Sequence, residues 1–211
     1  MPVVDAYLGL GSRYSYLAST QLDRIAEETG ATFNWIPIFS EELRPPDRDP
    51  FKGPPISGQY ERFYRRQDAE AWADYYQVPF REPMGRLTVD HRLLVRAALA
   101  AGALKQRVLM MKRLFAAVFV DDRTDVDAAT CIDCAVDIGI DRNSFRNAFQ
   151  NPAIEAERFA IVERAQARGV FGVPFFFAGG KSYFGNDRLV LLTHHLKRGR
   201  QATDDAGQKK A

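Results

Sequence analysis

An α/β fold is predicted by three features of the chain: a β-α-β stretch at the front, a ββα stretch at the back, and helical periodicity between them. Residues 3–10 read as a short, largely apolar strand. Gly11 breaks it, and Ser12 is a good N-cap for a following helix. Leu17, Gln21, Leu22, Ile25 and Ala26 recur at helical spacing, and Gly30 stands where a left-handed C-cap would stop the helix. Residues 32–39, rich in β-branched and aromatic side chains, read as a second strand, and β-α-β usually implies a parallel sheet.

The middle changes character. Pro45, Pro46, Pro50, Gly53, Pro54, Pro55 and Gly58 make residues 44–58 a long loop. From 59 to about 169 the periodicity is helical almost throughout, with stops at Pro79, Pro83, Gly102, Gly139 and Pro152, which gives about six helices. One is expected over roughly 125–138, where Thr124 and Asp127 have capping-box spacing. Phe175 to Ala178 and Lys181 to Phe184 flank Gly179-Gly180, a pair suited to the positive φ angles of a type I′ hairpin. Gly185 ends the hairpin, and Asn186 is expected to cap a last helix with an apolar line at Leu189, Leu192 and Leu196. A polar, disordered tail is expected after about Gly199. This is the order of a thioredoxin-like fold (residues 1–40 and 170–198) with a large all-helical insertion (41–169) and a tail (199–211). Periodicity alone is also compatible with other α/β arrangements.

Composition narrows the function classes. The 211 residues are 46% hydrophobic and 27% charged, values of a globular chain. Lys+Arg 29 against Asp+Glu 27 leaves +2, too even a balance for a dedicated nucleic-acid binder. No apolar run approaches the roughly 20 residues that cross a bilayer, and Met1-Pro2-Val3-Val4-Asp5 lacks the basic start of a signal peptide. Two cysteines make no disulfide framework, so a reducing cytoplasm is expected.

Three places carry candidate chemistry. Ser12, where a strand opens into a helix, can donate its hydroxyl to a bound anion such as a thiolate, or simply cap its own helix. Pro174 ahead of an apolar strand marks either an ordinary strand start or a cis turn, and a cis turn would free the Val173 backbone to pair with a peptide-like ligand. Gly185-Asn186-Asp187 opens another helix, where backbone N–H groups could meet a carboxylate and Asp187 an amine, or where the residues merely cap.

Taken together, Tyr7-Leu8-Gly9-Leu10-Gly11-Ser12-Arg13-Tyr14-Ser15-Tyr16-Leu17, Gly169-Val170-Phe171-Gly172-Val173-Pro174 and Tyr183-Phe184-Gly185-Asn186-Asp187-Arg188-Leu189 resemble the 2-hydroxychromene-2-carboxylate isomerases. Those enzymes belong with the kappa-class glutathione transferases and DsbA-like proteins. Residues 59–79, with Asp68, Trp72 and Tyr76, look like the first inserted helix of that family. The resemblance implies glutathione as cofactor. A serine replaces the first cysteine of the thioredoxin-type pair at Ser12, with Ser15 at the second position, so thiol redox there is lost. It further implies that Ser12 holds the glutathione thiolate and Val173, before a cis Pro174, pairs with the cysteinyl part. Phe184, Gly185, Asn186 and Asp187 would surround the γ-glutamyl end. The implied reaction is reversible thiolate addition to an aromatic or enone carboxylate, then rotation and elimination, in a homodimer.

The chain also departs from that family. Arg13 adds a charge beside the proposed thiolate, favouring an anionic substrate or sitting in water. Asp90-His91 stands where the family often carries Asn followed by Ser or Thr, facing the substrate, and His91 is either an acid-base group or a structural histidine. The loop after Ser40 lacks the family's usual Gly- and Lys-containing stretch. Cys131-Ile132-Asp133-Cys134 lies inside an expected helix without metal partners and reads as structural rather than redox. Adjacent His194 and His195 point to different helix faces; Arg62, Arg65 and Arg66 read as a solvated face. The rival functions are a kappa-like transferase, a non-catalytic glutathione or peptide binder, and a thiol oxidoreductase through Cys131 and Cys134.

Overall fold

The computed structural model describes residues 1–43, 62–83 and 87–208. The proline-rich loop expected over 44–58 lies outside the described residues. Strand β1 (Val3–Leu8) leads into α1 (Arg13–Ser19), α2 (Leu22–Thr29) and β2 (Thr32–Pro37). A 3-10 turn (Ser40–Leu43) follows, then α3 (Arg62–Tyr76), β3 (Thr88–Val89), α4 (His91–Ala103), α5 (Arg107–Phe119) and β4 (Asp125–Val126). Next come α6 (Ala128–Asp137), α7 (Arg142–Gln150) and α8 (Ala153–Ala167). The chain closes with β5 (Phe175–Ala178), β6 (Lys181–Phe184), a 3-10 turn (Asn186–Arg188) and α9 (Leu189–Gln208).

The four longer strands form one sheet in the order β2-β1-β5-β6, with β1 and β2 parallel and β5 and β6 antiparallel to their neighbours. This is an α/β thioredoxin-like fold with a helical insertion. The sheet is therefore assembled from both ends of the chain. Central β1 is apolar because both its faces are covered. Val4, Ala6 and Leu8 pack in one core with Leu17, Ile25, Phe176 and Leu192, while Tyr7 packs in a second core with Ile38, Leu99 and Phe175. Helix α4 contributes Leu94 and Ala98 to the first core and Val95 and Leu99 to the second, so the insertion is seated on the sheet through this helix.

Several local expectations are corrected. The helix expected from Ser12 to Gly30 is two helices. Ser19 Oγ and Thr20 Oγ1 donate back to the carbonyls of Tyr16 (2.6 Å) and Leu17 (2.7 Å), competing with the helical N–H groups where the ladder breaks. Gly30 does end α2 in the left-handed region, at φ 69°. Strand β2 stops at Pro37, which pairs opposite Leu8 on an edge strand, where a missing N–H is tolerated. The insertion is not wholly helical: β3 and β4 pair in parallel, Thr88 with Asp125 and Val89 with Val126. Asp127, not Thr124, caps α6, accepting from Thr130 N at 2.8 Å. Residue 186 caps nothing with its side chain, and α9 runs past Gly199 to Gln208. The hairpin turn is as expected, with φ 54° at Gly179 and 78° at Gly180.

Candidate functional site

The turn between β1 and α1 sets the first part of the site. Ser12 N–H donates to Gly9 O at 2.9 Å, and Ser12 Oγ accepts from Ser15 N at 3.3 Å. Ser15 Oγ in turn accepts from Gly9 N at 3.1 Å. Ser12 is half-buried, and because its oxygen is the acceptor in the cap, its hydroxyl proton is left for another acceptor. Helix α1 has only 7 residues, so the hydroxyl, rather than a helix dipole, is the main contribution to an anion here.

The segment before β5 closes on this turn. A Cβ added at Gly9 would lie 2.8 Å from Val173 Cγ2 and 3.5 Å from Ser12 Cβ, so glycine permits the close approach of the two segments. The Val173–Pro174 peptide is cis. Among the described residues, the Val173 N–H and C=O make no hydrogen bond. Gly185 N–H donates to Pro174 O at 2.9 Å and ties the 184–187 segment to the same loop. Phe184 leans over Gly172 and packs against Phe171 with ring centroids 4.6 Å apart; it is 44% exposed.

Asn186 is 3% exposed, and its 3-10 turn packs on α1. Its Oδ1 accepts from Tyr76 OH at 3.1 Å, while Nδ2 has no hydrogen-bond partner among the described residues. A buried amide donor left over in this way invites an acceptor from a ligand. Burial pushes the Tyr76 hydroxyl up to about 12, so it remains a donor at neutral pH. Asp187 is exposed, 3.5 Å from Arg188. A cleft of about 610 Å³ adjoins this end of the site, with Gln21, Arg24, Trp72, Tyr76, Asn186 and Asp187 in its wall. Ser12 is not in that wall, so the cleft serves the Asn186 end alone.

Arg13, Asp90 and His91 are placed differently from one another. Arg13 does not sit in water: Nη1 is 2.7 Å from Glu82 Oε2, and both side chains are largely buried. Burial lowers the Arg13 pKa and raises that of Glu82, each partly offset by attraction to the other. Asp90 is the N-cap of α4, its Oδ1 accepting from Arg92 N at 2.9 Å. His91 comes directly to the Ser12 turn. A Cβ added at Gly11 would fall 2.1 Å from His91 Nε2, and the ring packs on Phe39 at 5.9 Å between centroids. Burial lowers the His91 pKa, against the attraction of Glu41 and Asp90, so the ring is neutral at pH 7.

Sequence reasoning missed Gly11 as the residue that admits His91, and missed Tyr76 and Glu82 as partners of Asn186 and Arg13. No local pattern marks such contacts between distant segments. Cys131 and Cys134 are free and fully buried; burial pushes the Cys131 thiol up to about 12 and raises Cys134 as well, which disfavours thiolate chemistry. His195 Nδ1 is 2.5 Å from Tyr183 OH. Among the described residues no cluster of His, Cys, Asp or Glu could hold a metal ion, and no helix is long and apolar enough to cross a membrane.

The sheet order, the cis-proline loop facing the β1–α1 turn and the helices set between β2 and β5 define a thioredoxin-fold protein with inserted helices. The chain belongs to the DSBA-like thioredoxin domain family, which it matches over residues 3–197. It is 29% identical over 203 residues to a 2-hydroxychromene-2-carboxylate isomerase of Sphingobium xenophagum, covering 92% of this chain and 97% of that one. A solved 2-hydroxychromene-2-carboxylate isomerase aligns with a TM-score of 0.80 and 26% identity, over 96% of this chain and 98% of that chain. The cytosolic disulfide reductase DsbM from Pseudomonas aeruginosa, solved with GSH, shares the fold at a TM-score of 0.64 and 16% identity, over 95% of this chain and 98% of that one.

Proposed function

We propose that the protein is a glutathione-dependent isomerase of the 2-hydroxychromene-2-carboxylate type. One observation carries the reading: a half-buried serine hydroxyl with its proton to spare lies on the turn against which the Val173 loop closes, and among the described residues the Val173 peptide edge is unpaired. The isomerase relatives that align over nearly the whole chain support it. The residues present fit the tripeptide. Val173 N–H and C=O would pair with the cysteinyl backbone in the manner of an added strand. The buried Asn186 Nδ2 would donate to the γ-glutamyl carboxylate, and Asp187 would accept from its ammonium group. Phe184 would cover the join between the two. Glutathione bound there would supply a thiolate nucleophile for reversible addition to a cyclic hemiketal or its ring-opened enone, the chemistry that lets a double bond become single and rotate. The chain's part would be positional and electrostatic: Ser12 Oγ–H would donate to the sulfur, and the site would hold the substrate against it. A small aromatic or enone carboxylate as substrate, a homodimer and a cytoplasmic setting belong to the same reading.

A hydrogen bond to a charged group is worth about 1.5–3 kcal/mol, or about one to two pKa units. Ser12→Ala is therefore expected to raise the thiol pKa of bound glutathione by at least about one unit in an ultraviolet thiolate titration, with the circular dichroism unchanged. An unchanged titration removes Ser12 from the mechanism. In an assay with isomerisable substrate, free glutathione should be conserved over many turnovers. Stoichiometric consumption would instead identify a kappa-like transferase, which needs the same site.

A further inference from the structure

We propose that His91 is the proton acceptor of the Ser12 site, taking up the proton of a thiol that binds there. The inference rests on the reading of Ser12 as a thiol site and adds a second group to it. Three observations carry it. The His91 ring fills the place that a side chain at position 11, the residue before Ser12, would occupy. Phe39 packs against the ring and fixes its plane. Among the described residues neither ring nitrogen is hydrogen-bonded, so the protein itself engages neither, unlike the neighbouring Asp90, Arg13 and Tyr14, whose polar groups are engaged with Arg92 N, Glu82 and Asp68.

The proton balance is simple. The S–H bond breaks with its electron pair left on sulfur, an N–H bond forms on the ring, and the imidazolium then stands beside the thiolate it created. The proton returns to sulfur when the thiol leaves the site. The charged groups acting on the ring are Glu41 of the 3-10 turn after β2 and Asp90 at the start of its own helix, and the ring lies against Gly11, the residue before Ser12. Arg92 lies over the Phe39 ring and is paired with Glu42. The two nearby carboxylates favour the imidazolium once it forms, whereas burial keeps the ring neutral and able to accept before the thiol arrives.

The test uses the full chain with glutathione as probe and reads binding and proton position rather than turnover. Calorimetry gives the affinity of wild type, His91→Asn and Gly11→Ala. Ultraviolet titration gives the pKa of the bound thiol, and NMR of ring-labelled histidine follows the three imidazoles (His91, His194 and His195). In wild type, glutathione is expected to raise the pKa of one imidazole, that of His91. In His91→Asn the bound thiol should titrate about one unit higher, about tenfold less thiolate below that pKa, with affinity for the protonated tripeptide retained. Gly11→Ala, which keeps the imidazole but displaces it, should move the thiol pKa in the same direction. If His91→Asn binds glutathione with an unchanged thiol pKa, the proposal for His91 is overturned while the Ser12 site stands. If wild type binds no glutathione, the functional reading fails and this inference fails with it.

Discussion

At the scale of single residues the site is a set of small groups whose polar atoms are counted out with little to spare. Ser12 spends its lone pair on Ser15 N and keeps its proton; Asn186 spends Oδ1 on Tyr76 and keeps Nδ2. Ser12→Ala should cost about 1 kcal/mol of stability as a lost helix cap, seen as a drop of about 2–4 °C in a calorimetric melt. His91 makes a pH-dependent contribution. Its folded pKa is below the unfolded value near 6.5, so between the two values the unfolded chain binds more protons and stability rises with pH. The contribution is complete above about pH 6.5 and is lost as pH falls toward the folded pKa. Urea midpoints measured between pH 8 and 5 should decline less for His91→Asn than for wild type; parallel curves would show that the ring is not desolvated.

At the scale of elements, α1 is held by the insertion as well as by its own sheet. Tyr14 OH donates to Asp68 on α3 at 2.8 Å, Tyr16 OH donates to the Pro79 carbonyl, and Arg13 pairs with Glu82. These three clasps fix the helix whose N-cap is Ser12, so the insertion positions the site from outside the sheet. Tyr14→Phe should lower stability by about 1–2 kcal/mol, because a hydrogen bond to a carboxylate is lost in a half-buried place, and the urea midpoint should fall without change in m-value. What was legible here was local. Gly30 ends α2 and Gly179-Gly180 turns the hairpin because both need positive φ, a demand written in residue type. The α1–α2 break was not legible: Leu17, Gln21 and Ile25 keep helical spacing across it, and only the hydroxyls of Ser19 and Thr20 betray the competition. β3 and β4, two residues each, are too short to show any period.

At the scale of the whole molecule, the two cysteines are removed from chemistry by position. Both lie in α6 within the core, and burial raises both thiols. Native protein should therefore react with Ellman's reagent only as fast as it opens, with two thiols per chain appearing promptly in urea. Insulin reduction that disappeared in Cys131→Ala would restore the oxidoreductase reading. The helical insertion divides the sheet in sequence yet joins its two cores through α4, so the Ser12 turn, the Val173 loop and His91 arrive at one place from three separate parts of the chain.

The sequence by itself determined an α/β order of elements, because short strands punctuated by Gly and Pro are local facts that survive any packing, and its resemblance to a known family narrowed that order to a thioredoxin-like fold. Local facts made Ser12, Val173, Pro174 and Asn186 candidates with a cap or an ordinary strand start as the alternative, and the family resemblance chose between the two. Tertiary structure decided the rest: that Arg13 turns to Glu82, that Asp90 caps α4, that Asn186 serves Tyr76 instead of a helix, and that His91 fills the space of a missing side chain at Gly11. Each is a choice among partners by a polar or imidazole group. Such choices are made by proximity and burial, which come into being only when distant segments pack.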